Sequence, residues 1–222
     1  MEKRKIIFGT YDTAETGLWT LTGWELTTPE LQTNYVDVPG RRGGPLDLST
    51  ALTDGEPMYS TRELEVVLES SEGTRLEREA RINDMINKLD GYSMNIVLPD
   101  DSKHYLVGRV TVRKEYNDNA HARVEVAAVC EPWRYKTTES VITLTAGSAQ
   151  AVMLENTGRM HVVPVVVVSG TDASVALTYS GYKWTLSAGA YQLPDLVVPP
   201  GGKALSYSGT GTVKITYREA VL

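Results

Sequence analysis

One stretch of this chain, from Glu72 to Gly91, carries a clear helical period, so most of any core has to come from strands. Within it Leu76, Ala80, Ile82, Met85, Ile86 and Leu89 recur at three- and four-residue spacing. Thr74 stands where a helix N-cap belongs, with Glu77 three positions on as in a capping box, and Gly91 falls just past the end. The spacing predicts one amphipathic helix laid against a sheet. Around it the period is two. Arg62 to Ser70 puts Leu64, Val66 and Leu68 on one face and Glu63, Glu65 and Glu69 on the other. Residues 103–114 and 120–130 read as two more strands, joined by a turn over Tyr116 to Asn119, with Gly108 as a bulge or a point of close contact.

After Trp133-Arg134-Tyr135-Lys136 the pattern becomes short strands at close intervals, with Gly158, Gly170, Gly181, Gly189, Gly201-Gly202 and Gly209 as the turns. That reading breaks the chain between 161–168 and 174–179, and again between 204–208 and 211–218. Charge divides the chain in the same region. From Thr138 onward five basic and five acidic residues cancel, so the net charge of −6 lies before that point. Two domains are expected, 1–137 and 138–222. The fold class is mainly β with one helix: an N-terminal β-sandwich or split-barrel-like domain, then a C-terminal antiparallel β-sandwich of galectin-like or jelly-roll type.

The residues offer little chemistry. His104, His121 and His161 lie on different predicted strands without an HxH or HxxxH partner, so no metal site is expected. Cys130 is the only cysteine, which excludes an internal disulfide and fits a chain made in the cytosol. No serine lies in a G-x-S-x-G elbow, and Asp100-Asp101 reads as a solvated turn. The apolar run Val162 to Val168 is short and interrupted by Pro164, so no membrane insertion is expected. An acidic chain is also a poor nucleic-acid coat. No enzyme activity and no cofactor are predicted.

Two features remain. "TNYVDVPGRRGGPLDLSTAL", Thr33 to Leu52, runs from an alternating strand into Pro39, Gly40, Gly43 and Gly44 around the pair Arg41-Arg42. It lacks the Gly-Lys-Ser/Thr ending of a phosphate loop, and a strand follows it rather than a helix. Asp37, Asp47 and Asp54 flank the arginines. Such a tip is either an ordinary solvated loop or a contact for an acidic patch on another copy. In the second domain Tyr182, Trp184 and Tyr191 either pack in a core or form a face for stacking sugars.

In order, "LTGWELTTPEL", the "NYVDVPGRRGGPLDLSTALTDGEPMYSTRELEVVL" stretch, the helix ending in "LDG", "YLVGRV" and "VCEPWRYK" resemble the distal tail protein (Dit) family of long-tailed phages and related prophages. The C-terminal stretch from "WTLSAGAYQLPDL" is more loosely similar to galectin-like carboxyl domains of tail-tip proteins. The resemblance implies a structural component of the virion tail tip, synthesised in the host cytoplasm. It would form a hexameric ring of its own copies, joining the tail tube protein to the tail-hub protein, with a receptor-binding protein as a further partner. It implies a subunit interface at Asp37, Pro39, Gly40, Arg41, Arg42, Gly43, Gly44 and Asp47, docking on a neighbour's Glu63, Glu65 and Glu69 face. Rival readings are a carbohydrate- or receptor-binding adaptor using Tyr182, Trp184 and Tyr191, a peptidoglycan hydrolase, and a contractile-tail baseplate protein.

Overall fold

A computed structural model describes residues 4–53 and 55–222. The chain divides into two compact units, the first ending at Pro132 and the second running from Trp133 to Leu222. The first contains β1 (Ile7–Phe8), β2 (Tyr11–Asp12), β3 (Thr20–Leu26), β4 (Tyr35–Val36), β5 (Leu46–Asp47), β6 (Arg62–Ser70), α1 (Arg75–Leu89), β7 (Ser93–Leu98), β8 (Asp101–Asn117) and β9 (Ala122–Cys130). The second contains β10 (Arg134–Lys136), β11 (Ser140–Thr145), β12 (Gln150–Leu154), β13 (Val165–Tyr179), β14 (Tyr182–Ser187), β15 (Gly189–Gln192), β16 (Lys203–Tyr217) and β17 (Ala220–Val221). The described residues are therefore mainly β with one helix.

In the first unit an antiparallel sheet runs in the order β2-β1-β7-β8-β9-β6-β3. Alternation sends Leu64, Val66 and Leu68 of β6 and Val124, Val126 and Ala128 of β9 to one face, where α1 covers them with Ile82, Met85 and Leu89. The helix starts as expected. The Thr74 backbone N–H donates to Glu77 Oε2 at 2.7 Å, and the Glu77 N–H donates back to Thr74 Oγ1 at 3.3 Å. Its buried stripe differs at the N-terminal end, where Leu76 and Ala80 are exposed and Arg78 is buried. The spacing 78, 82, 85, 89 follows one face, and the Arg78 guanidinium is satisfied there by Gly73 O, Asn117 Oδ1 and Asp118 O. The β8–β9 turn lies later than predicted. β8 continues through Asn117, and Asp118 Oδ1 closes the turn by accepting from the N–H groups of Ala120 and His121. Gly108 is a close-contact point, since a side chain there would meet Cys130 Sγ at 2.5 Å.

In the second unit β11 to β16 form one folded sheet. β13 and β16 pair along almost their whole length. β11 and β12 follow one another along the free edge of β16, and β15 and β14 do the same along β13. All four ribbons break at one level. Gly170, Gly209 and Gly211 lie there with φ of 131°, 117° and 108°, inside the two long strands. The turns predicted at Gly170 and Gly209 are thus bends within strands. At that level β13 carries residues 170–173 between Ser169, paired with Thr212, and Ser174, paired with Thr210. Buried residues shift from Val166 and Val168 to Val175 and Leu177, so both halves of the sheet face one core. β10 pairs with β17, which places residues 133–137 with the second unit.

Candidate functional site

The arginine-bearing loop caps a two-stranded arm growing from the β3–β6 end of the first sheet. Beyond β3 the Thr27 N–H donates to Glu63 O at 2.9 Å, Ser60 N–H donates to Glu30 O at 2.9 Å, and Gln32 N–H donates to Met58 O at 2.8 Å. Higher up, the Leu48 N–H donates to Asn34 O and the Asn34 N–H donates to Ser49 Oγ, each at 2.8 Å. Asp47 belongs to this closure. Its Oδ1 accepts from the Ser49 N–H at 2.9 Å, and the Ser49 contacts hold its carboxyl below the usual carboxylate range.

The tip follows from its sequence. Pro39 and Gly40 are the central residues of a turn in which the Arg41 N–H donates to Val38 O, and Gly40 has φ of 84°, which suits a type II turn. Gly43 and Gly44 also have positive φ, and added side chains there would meet nothing within 4 Å. Glycine is needed here for backbone shape, not for close packing. Among the described residues, the side chains of Asp37, Arg41 and Arg42 have no hydrogen-bond or ion-pair partner.

The arm is also apolar. The register opposes Val36 to Leu46 and Tyr35 to Asp47, so Val36 and Leu46 share one face. Tyr35, Val36, Val38 and Leu46 are all exposed, as are Leu31 and Met58 in the stem, and Leu52 is 98% exposed. Sequence reading found the arginines and glycines but missed this apolar surface, although the alternation of Val36, Val38, Leu46 and Leu48 carried the signal.

The sheet face away from α1 has two halves. At the β8–β9 turn end its carboxylates are paired: Glu69 and Glu115 with Arg123, and Glu125 with Arg113 at 3.8 Å. Toward the root of the arm Glu25 stands directly opposite Glu65 across the β3–β6 register, with Glu63 next along β6. None of those three side chains has a partner among the described residues. The exposed Val129 lies opposite Glu63 on β9, and Ala127 opposite Glu65.

In the second unit Tyr182 and Trp184 stack with ring centroids 5.9 Å apart, and Tyr182 is about half exposed. Tyr191 stands apart from that pair on β15, opposite Val166, with its hydroxyl donating to Ser187 O at 3.1 Å. His104 Nδ1 lies 2.8 Å from Asp101 Oδ1, and Asp100 pairs with Arg4. Burial pushes the Cys130 thiol up to about 11, the reverse of an activated nucleophile. No group of three potential metal-ligating side chains occurs among the described residues. No helix among them is long and apolar enough to cross a membrane.

The fold, a helix-on-sheet unit followed by a folded β unit, is shared with a solved phage protein. The chain is similar to the crystal structure of SPP1 Dit (gp 19.1), described as a paradigm of the hub adsorption apparatus in phages infecting Gram-positive bacteria. The match has a TM-score of 0.67 at 15% identity, covering 98% of this chain and 99% of that one. No protein-family model and no curated protein sequence matches the chain.

Proposed function

We propose that this chain is a structural subunit of a phage tail tip, a ring-forming joint between the tail tube and the hub below it. The observation that carries the reading is the likeness to SPP1 Dit, which runs through both units with almost no residue left over on either side. The exposed, apolar, glycine-shaped arm supports it. An isolated two-stranded hairpin has marginal stability in water, and one that exposes an apolar face gains by being covered. Rings grow from head-to-tail contacts, in which a projecting element on one copy meets a different surface on the next. The tail tube protein, the tail-hub protein and a receptor-binding protein are the partners this role calls for, in the virion and with no cofactor. Negative-stain images and light scattering of the purified chain test it: rings and the mass of a closed oligomer are expected, and a chain that stays monomeric at high concentration removes the ring.

A second reading, a carbohydrate-binding adaptor, draws on the half-exposed Tyr182–Trp184 stack. Such a site gives a saccharide-dependent change in tryptophan fluorescence that Trp184→Ala abolishes. A flat titration over a glycan panel removes it.

A further inference from the structure

We infer, building on the ring reading above, where the arm lands: on the open face of the first-unit sheet of the next copy, around Val129 and Ala127, with Arg41 and Arg42 among Glu25, Glu63 and Glu65. Three observations converge. The first is a contrast within one face. Where β6, β8 and β9 approach the β8–β9 turn, Arg123 and Arg113 neutralise Glu69, Glu115 and Glu125. Toward the arm root no arginine or lysine among the described residues does so for Glu25, Glu63 or Glu65, and two of these carboxylates oppose each other directly in the register. Like charges facing across a strand pair destabilise it, and the local remedy seen at the other end is missing here.

The second observation is complementarity. The tip carries two cations without partners among the described residues, and its apolar residues Val36, Val38 and Leu46 are uncovered. The face carries exposed Val129 directly opposite Glu63, with Glu65 two residues along β6 and Glu25 beyond it on β3, while Arg109 on the other side of Val129 donates to Gly91 O. Apolar area meets apolar area, and the charges are opposite. The third is topology. Tip and root belong to the same arm, which holds them apart, so the tip cannot neutralise its own root while the arm keeps this form. A second copy can. The occupant is therefore the arm of another copy of this chain, and Glu69, which the resemblance placed in the acceptor, is already held by Arg123 at 3.2 Å.

Charge reversal tests this, with self-association read by sedimentation equilibrium. Arg41→Glu with Arg42→Glu, and separately Glu25→Lys with Glu65→Lys, should each weaken association roughly tenfold to a hundredfold. A chain carrying all four changes should regain it. Glu125→Lys on the paired end of the same face should have little effect. If the lysine variants fail to fold, Glu25→Gln with Glu65→Gln gives a weaker version of the same loss. Loss on arm reversal but none on acceptor reversal, or no recovery in the fourfold variant, overturns the landing site and leaves the ring standing. Unchanged association after residues 35–47 are replaced by a short Gly-Ser linker overturns the arm as the clasp, and only a wild-type chain that does not associate overturns the ring as well.

Discussion

Glu219 is the side chain on which the ends of the second unit converge. Its carboxylate accepts from Lys136 Nζ at 2.9 Å, Ser140 Oγ at 2.7 Å, and both the N–H and the Oγ of Thr157 at 2.7 and 2.6 Å. Burial alone pushes this carboxyl upward. The Thr157, Lys136 and Ser140 hydrogen bonds overcome that and hold its pKa at about 2, against 4.5 for a free glutamate. A group whose folded pKa is depressed stabilises the fold above its unfolded pKa, and that stabilisation is lost as pH falls through the folded value. Glu219→Gln should therefore cost about 2 kcal/mol near neutral pH, since two hydroxyls, a backbone N–H and an ammonium lose a charged acceptor. Between pH 4.5 and pH 2 the wild-type advantage should shrink toward zero. Melting curves of both chains across that range decide it, and a gap that persists at the acid end would show that the carboxylate's charge is not the source. This anchor could not be read from the sequence, because its partners come from residues 62 to 83 positions away.

Among the elements, those legible in the sequence were those whose cause is local. The capping box of α1 needs only Thr74 and Glu77, and the turn at Gly181 needs only the pair Ser180-Gly181, whose φ values of 51° and 91° suit a tight two-residue hairpin. The bends at Gly170 and Gly209 were misread because a glycine that turns a chain and one that bends a strand look alike in sequence. What separates them is the strand lying alongside. The same limit hid the acceptor face, since Glu25 meets Glu65 only through register. The arm's bend, set by Pro39 and three nearby glycines, was legible; its exposed apolar surface depended on knowing what fails to cover it. The two kinds of glycine should respond differently to substitution. A methyl group at Gly209 would sit 2.1 Å from the Ser174 carbonyl oxygen, so backbone has to move, and Gly209→Ala should cost about 2–4 kcal/mol. At Gly40, with φ of 84° and open space around it, alanine should cost only about 1 kcal/mol of backbone strain. Chemical denaturation measures both. Equal losses would mean that the seam in the second unit is not held by close backbone approach.

At the scale of the whole molecule, a clasp with its cation on one surface and its carboxylates on another makes a prediction about stoichiometry. The chain with Arg41→Glu and Arg42→Glu presents a negative tip and a negative face, so its copies repel at the junction. The chain with Glu25→Lys and Glu65→Lys presents a positive tip and a positive face, and repels itself equally. Mixed, each tip matches only the face of the other chain. Head-to-tail growth then forces strict alternation, so closed species should hold equal numbers of the two chains and an even total. Native mass spectrometry with one chain mass-tagged reads this directly. A reciprocal clasp, in which two copies exchange arms, would satisfy the same charges within a pair and stop at the dimer, for the wild type as for the mixture. Masses beyond the dimer with random composition would mean that copies associate through some surface other than the arm. Salt should blur the contrast, because exposed ion pairs weaken as ionic strength rises while the apolar contact of Val36, Val38 and Leu46 does not. The alternation should therefore be strictest in dilute buffer and fade toward random mixing in concentrated salt.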